Sequence, residues 1–244
     1  VASVTLLRTK GLSRQFGGLK AVNDVNFAIR EGEIRALIGP NGAGKTTFVS
    51  LLSGRIAPSA GSIEFLGNDI TARPAHKRVR DGIAYTFQIT SIYPMLSVFD
   101  NVALSAQSAL QRSPGAKPAV IAAKAKEALE HVGLSDRLRD RAGTMSYGHQ
   151  RLLEVAMGLA LEPKLLILDE PTQGLSDGEI ENFCRLVKEI SRSATVLLIE
   201  HNMPVVMKLA DTITVLNHGE ILAEGSPENI RANAAVQAAY LGTG

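Results

Sequence analysis

Two short stretches of the 244-residue chain carry residue types whose spacing suits phosphate chemistry. Gly39, Pro40, Asn41, Gly42, Ala43, Gly44, Lys45 and Thr46 satisfy G-x-x-x-x-G-K-S/T at every fixed position, and Thr47 follows. Glycines let the backbone curl until successive N–H groups point inward onto phosphate oxygens. A helix starting directly behind such a loop adds its free N–H groups and the positive end of its dipole at the same spot. Lys45 then reaches the β- and γ-phosphates of a nucleotide, and the Thr46 hydroxyl is placed to ligate Mg²⁺. A glycine-rich turn with a chance lysine is the competing explanation. It is disfavoured because an apolar strand (Ala36-Leu37-Ile38) precedes the loop and the helically spaced "TTFVSLLSG" follows it.

The second stretch is Leu165-Leu166-Ile167-Leu168-Asp169-Glu170. Four aliphatics predict a buried strand, and two carboxylates at its end are costly to bury without a use. Beside a phosphate loop, Asp169 is expected to hold Mg²⁺ and Glu170 to polarise an attacking water as general base. Pro171 is expected to keep Glu170 extended. Two further strands end in polar groups: "GIAYTFQ" in Gln88 and "TVLLIEH" in Glu200-His201. Each alone reads as an ordinary loop residue. In an open α/β sheet, however, ligands sit beyond the carboxyl ends of parallel strands, and Gln88, Asp169, Glu170 and His201 all fall at such ends. The other histidines examined, His76, His131 and His218, lack metal-ligand spacing and are read as surface.

The elements that must position these groups fall into three blocks. The first eighty or so residues read mostly as short strands, interrupted by the loop and its helix, which closes at a Gly54 cap. Residues 92–162 turn helical, with Pro114-Gly115 breaking one helix from the next. In "RLLEVAMGLAL" the apolar positions Leu152, Val155, Ala156 and Leu159 follow helical spacing. The last third alternates again: "LLILDE" and "TVLLIE" flank the helix "EIENFCRLVKEI", a βαβ unit that implies a parallel sheet. "TITVL" and "EILAE" flank "NHG" as a hairpin, and one final helix is expected over about residues 227–240. The expected organisation is a single domain. Residues 1–91 and 163–244 form an α/β core with an antiparallel β subdomain, and 92–162 form a helical insertion.

Composition narrows the class. With 45% hydrophobic and 20% charged residues the chain is an ordinary globular protein. A formal charge of +2 without like-charge blocks argues against a nucleic-acid partner. The single cysteine, Cys184, rules out an internal disulfide and fits a reducing cytoplasm; its helical spacing makes it core filler. No run approaches the roughly 18 apolar residues of a membrane span, and the N-terminus lacks a signal-peptide layout. The chain begins without Met, which leaves open whether it is trimmed there. A membrane role is therefore expected to come through a partner.

Together these residues resemble the ATP-binding subunits of ABC transporters over almost the whole chain, which implies a P-loop NTPase fold of the ABC type. Residues 39–46 match the family's Walker A loop, 165–170 its Walker B strand and glutamate, Gln88 its Q-loop and His201 its switch histidine. Met145-Ser146-Tyr147-Gly148-His149 stands where the family has Leu-Ser-Gly-Gly-Gln. Phe16, ahead of "GGLKAV", matches the aromatic that stacks on adenine, and Val22 falls within the same nucleotide-binding segment. The resemblance implies ATP and Mg²⁺ as cofactors, with Thr46, Gln88 and Asp169 around the metal. It also implies a head-to-tail dimer, in which Ser146, Tyr147, Gly148 and His149 face the γ-phosphate held by the other chain. Two integral-membrane permeases would dock near "ITSIYPMLSVFDNV", where Ile92, Tyr93 and Met95 look exposed, although ordinary core packing of that segment is the alternative. A solute-binding protein would act indirectly, and the ATPase would sit peripherally on the cytoplasmic face of the membrane.

Within the family, "FGGLKAVNDVNF", "SYGHQRLLEVA", "LLIEHNM" and the terminal "AYLG" are most similar to ATPases of branched-chain amino acid importers. ATPases of urea and short-amide importers differ little here. A non-transport member acting on nucleic acid or ribosomes fits less well, because neither a second nucleotide domain nor a long coiled coil is present. A non-hydrolysing regulator is disfavoured by Glu170 and His201. Three departures stand out: Met145 for Leu, Tyr147 and His149 for Gly and Gln, and Ser176 where an aspartate is usual.

Overall fold

The computed structural model describes residues 4–86, 91–110 and 117–241. β1 (Thr5–Phe16), β2 (Leu19–Val25), β3 (Ala28–Arg30) and β4 (Ile34–Ile38) precede α1 (Lys45–Ser53). β5 (Ala60–Phe65), β6 (Asn68–Asp69), α2 (Ala75–Asp81) and β7 (Ile83–Thr86) follow. Three helices come next: α3 (Val98–Leu110), α4 (Pro118–His131) and α5 (Tyr147–Leu159). β8 (Leu165–Asp169), α6 (Asp177–Ile190), β9 (Thr195–Ile199), α7 (Met203–Leu209) and β10 (Thr212–Asn217) return to the sheet. β11 (Glu220–Gly225), α8 (Pro227–Arg231) and α9 (Ala234–Leu241) complete the described chain.

One sheet runs β2-β1-β5-β6 with β3 also on β1, all antiparallel. The other has the order β11-β10-β4-β9-β8-β7, in which the five strands from β10 to β7 are parallel and β11 is an antiparallel edge. Every residue of β4, β8 and β9 is buried. Both faces are covered, which is why β8 and β9 read as largely aliphatic runs; in β4 the buried Arg35 is paired with Glu33 and Thr214. Leu165, Ile167, Leu197 and Ile199 pack toward α1 (Phe48, Leu51, Leu52) and the antiparallel sheet beyond it (Leu6, Leu12, Ile63, Phe65). Leu166, Leu168, Val196 and Leu198 face the other way, into a core shared with Val102, Leu153, Ala156, Phe183 and Val187. Cys184 lies in that second core, 1% exposed.

Two expectations change. The last helix is two: Asn233 breaks the run, and its Oδ1 accepts the N–H groups of Ala235 and Val236 at 2.9 and 3.1 Å, capping α9. β10 does form the hairpin with β11, but it also pairs in parallel with β4, which hairpin spacing alone does not reveal.

The phosphate-loop helix is secured at its far end. Gly54 caps α1 at φ 76°, and the Arg78 guanidinium, 1% exposed, serves the open carbonyls beside it. Nη1 donates to Leu51 O at 2.7 Å and Leu52 O at 2.9 Å, Nε to Arg73 O at 2.8 Å, and Nη2 to Thr71 O at 3.0 Å. Burial pulls the Arg78 pKa down to about 10, so the group stays cationic at neutral pH. Arg78→Ala removes all four bonds at once and is expected to cost about 3 kcal/mol of stability. The measurement is the urea midpoint at constant m-value, and an unmoved midpoint would show that α1 does not depend on this cap.

Candidate functional site

The loop between β4 and α1 closes under steric compulsion. A Cβ at Gly39 would come within 2.1 Å of Leu216 O, and one at Gly44 within 2.3 Å of Ala21 O; Gly44 also has φ 98°. The hairpin tip after β10 braces the loop, because Gly219 N donates to Ala43 O at 3.0 Å. Lys45 is 7% exposed, and its Nζ donates to Gly39 O at 2.6 Å and Pro40 O at 3.1 Å. Burial lowers the Lys45 pKa, while the nearby Glu170 and Asp169 raise it. A buried cation held at a glycine-rich loop ahead of a helix N-terminus is suited to an anion.

Asp169 ends β8, 2% exposed, with Oδ2 accepting the Tyr85 hydroxyl at 2.6 Å. Burial pushes its pKa up; the Tyr85 hydrogen bond and Lys45 hold it down. Glu170 is not extended as Pro171 led us to expect. Its φ is +47°, in the left-handed region, and its N–H donates to Ile199 O at 2.9 Å. The bond to β9 fixes this conformation, which non-glycine residues rarely adopt and which concentrates at functional sites. Glu170 Oε1 lies 2.6 Å from His201 Nε2, which brings the ends of β8 and β9 together as expected. Gln88 lies outside the described residues.

Of these groups Lys45, Glu170 and His201 border a cleft of about 510 Å³, within the range of small-molecule sites, while Gly39, Pro40 and Asp169 are not part of its lining. Asn41, Gly42, Ala43, Gly44, Lys45, Thr46 and Thr47 form its floor, with Glu170 and His201 at one side and Phe16, Leu19, Lys20 and Ala21 at another. Phe16 is 45% exposed, with the Arg14 guanidinium 4.6 Å from its ring centroid. Val22 is fully buried in the core under the antiparallel sheet, so its side chain is withdrawn from the cleft that Lys20 and Ala21 border.

Sequence reasoning missed two residues. His218 lines the cleft rather than a remote surface, because the parallel pairing of β10 puts its carboxyl end at the same edge. The rule applied to β7, β8 and β9 would have found it had β10 been read as parallel. Glu200, 3% exposed, accepts from the N–H and hydroxyl of Thr172 with Oε1, and from the N–H groups of His201 and Asn202 with Oε2. A carboxylate at the end of an all-aliphatic strand was its signal.

The signature segment stands apart: none of Ser146, Tyr147, Gly148 or His149 lines the cleft. Ser146 is the N-cap of α5, and its Oγ lies 2.7 Å from His149 Nδ1. Met145 is 8% exposed in the helical core, where an apolar residue of similar volume to Leu suffices. Gly148 is closely approached by Glu179, whose Oε1 would lie 2.2 Å from a Cβ there. Ser176 caps α6 in a capping box, donating its N–H and hydroxyl to Glu179 Oε2 at 2.9 and 2.7 Å. Tyr93 and Met95 are 55% and 69% exposed, whereas Ile92 packs partly against the helical core.

Residues 22–173 match the family described as ABC transporter, and residues 220–244 match the one described as branched-chain amino acid ATP-binding cassette transporter. The chain is 38% identical to the high-affinity branched-chain amino acid transport ATP-binding protein BraF of Pseudomonas aeruginosa, covering 97% of this chain and 98% of that one. It is also 38% identical to its LivG counterpart in Escherichia coli K12, covering 98% and 99%. Among solved structures, an ABC transporter cassette in its ADP conformation superposes with a TM-score of 0.87 at 28% identity, over 98% of this chain and all of that one. A dimeric cassette in a post-hydrolysis state, bound to ADP and Pi, gives 0.80 at 25% identity over 91% and 99%. Likeness of sequence along nearly the full length, joined to likeness of fold, places this chain in the ABC transporter family as one of its ATP-binding, ATP-hydrolysing cassettes.

Proposed function

We propose that this cassette hydrolyses MgATP within a head-to-tail dimer and thereby drives uptake of branched-chain or other hydrophobic amino acids through a membrane importer. The observation that carries hydrolysis is the Glu170–His201 contact of 2.6 Å at the side of the cleft. The solute class rests on the likeness to BraF and LivG, whose names specify branched-chain amino acid transport.

In this reading Phe16 stacks on adenine while the 39–46 loop and Lys45 hold the phosphates. Glu170 takes the proton of the attacking water, and His201 orients that carboxylate. The exposed Thr46 hydroxyl and the Asp169 carboxylate are hard oxygen donors of the kind Mg²⁺ takes, the rest coming from phosphate and water. Among the described residues no group of three or more His, Cys, Asp or Glu side chains is arranged to hold a metal, in keeping with an ion that arrives with its nucleotide. When bound, Mg²⁺ supplies charge neutralisation on the phosphate oxygens. Glu200 serves as a positioning residue, tying the turn after Glu170 to the His201 backbone.

Ser146, Gly148 and the N-terminal N–H groups of α5 meet the γ-phosphate of the partner chain, by the same helix-end physics as the phosphate loop. That they stand apart from their own chain's cleft supports the composite arrangement, as does the dimeric form of a related cassette. Tyr93 and Met95 offer apolar surface to two permease subunits, and a solute-binding protein acts through those permeases. Among the described residues no helix is long and apolar enough to cross a membrane. In this reading attachment is peripheral, through these partners.

Glu170→Gln is expected to retain ATP binding, lose at least about tenfold in turnover and accumulate an ATP-bound dimer. Turnover like that of the parent would remove Glu170 from the role of base. Mixing Ser146→Ala chains with Lys45→Ala chains is expected to restore part of the activity that each lacks alone, since one composite site then has both groups intact. No recovery would mean that the signature does not act across the dimer. Glu200→Gln puts an amide before donors that need an acceptor. It is expected to lower kcat about tenfold while nucleotide affinity stays within about twofold. A loss of affinity with kcat retained would assign Glu200 to binding instead.

A further inference from the structure

Tyr147 stands where the family signature has a glycine, and no step above uses its side chain. Its ring lies against the turn after β8: a Cβ at Gly174 would come within 3.0 Å of ring atom Cε1 and 3.2 Å of Cδ1. Its hydroxyl accepts from Arg151 Nη2 at 2.8 Å, one helical turn along α5, and the guanidinium carbon sits 5.2 Å from the ring centroid. Arg151 Nη1 donates to Glu154 Oε2 at 2.9 Å, and Glu154 Oε1 accepts the Ser91 N–H at 2.5 Å. Contacts therefore run without a gap from Gly174 through Tyr147, Arg151 and Glu154 to Ser91.

Arg151 and Glu154 are 3% and 5% exposed. A buried ion pair adds little net stability, because desolvation cancels most of its attraction. What the buried hydrogen bonds of Arg151 and Glu154 do supply is a preferred relative geometry for the groups they join. Burial pushes the Glu154 pKa up, and the Ser91 N–H and Arg151 oppose it, so the carboxylate depends on both neighbours staying in place. Ser91 lies two residues before Tyr93 and four before Met95, the exposed apolar residues of the same segment.

We propose that Tyr147, Arg151 and Glu154 are positioning residues that fix the signature helix against both the Gly174 turn and the Ser91 segment. The proposal rests on the reading of Ser146 and Gly148 as the phosphate contact across the dimer. Tyr147→Phe keeps the ring on Gly174 and deletes one hydroxyl; Glu154→Gln keeps the shape and deletes the charge.

The test measures ATP turnover, KM for ATP and melting temperature for the parent, each variant and the double variant, together with ATP-driven dimerisation of each in a Glu170→Gln background. Each single variant is expected to lose about tenfold in kcat with KM within about twofold, and to need more protein to dimerise. The double variant is expected to fall no further than the worse single one, because both break the same chain of contacts. Parent-like turnover in Tyr147→Phe, additive losses in the double variant, or losses matched by the unfolded fraction would each overturn the positioning role. If the parent itself shows no turnover and Glu170→Gln forms no dimer, the underlying reading of the site fails. If both controls behave and the variants match the parent, the positioning role alone fails.

Discussion

A strand with every residue buried accepts a polar side chain along its length only where partners are built in, as Glu33 and Thr214 are for Arg35 of β4; otherwise the exit is at its end. β4, β8 and β9 are such strands, and they are parallel, so their exits share one edge. The phosphate loop, the Asp169-Glu170 pair and Glu200-His201 all emerge there. Crowding charges into so small a space is unfavourable for any one of them alone. Lys45 is penalised by burial and relieved by Glu170 and Asp169; Asp169 is penalised by burial and relieved by Tyr85 and Lys45. The site is thus a mutual arrangement, in which removing one charge exposes its neighbour to the full cost of desolvation.

The parts of this arrangement governed by local chemistry were legible in the sequence. The loop from Gly39 to Thr46 needs glycine at fixed steps, and the all-aliphatic β8 and β9 announce burial on both faces, so the loop, the helix behind it and the βαβ unit could be read directly. What escaped depends on long-range pairing. Nothing local tells that β10 lies beside β4, and with that pairing hidden His218 looked like surface. Proline chemistry pointed to an extended Glu170, but a hydrogen bond from its N–H to Ile199, on another strand, overrides that preference. Val22 follows a third pattern: resemblance placed it at the nucleotide, while its apolar side chain went where apolar side chains go.

Away from the cleft, two buried carboxylates join loops. Glu200 gathers four donors from the turns after β8 and β9, and Glu154 links α5 to the Ser91 segment. Each accepts from backbone N–H groups as well as from a side chain, so each constrains main chain too. Glu179 is a more exposed counterpart: bonds from Ser176 hold its carboxyl below the usual range while its other oxygen rests against Gly148. The turn at Gly174 and the start of α5 are in this way held from both sides, by Tyr147 on one and Glu179 on the other.

Arg78 also bears on the electric field at the phosphate loop. A helix of nine residues is about 13 Å long, with partial negative charge at its carboxyl end that ordinarily subtracts from the potential at its amino end. Here a full guanidinium charge lies against that carboxyl end, inside the protein, where water screens it little. The far pole of α1 is offset by this cation, itself within reach of Asp81 and Asp69, so less of that pole's negative potential is felt at the loop. A residue that touches no part of the cleft thereby deepens the electrostatic well at its floor.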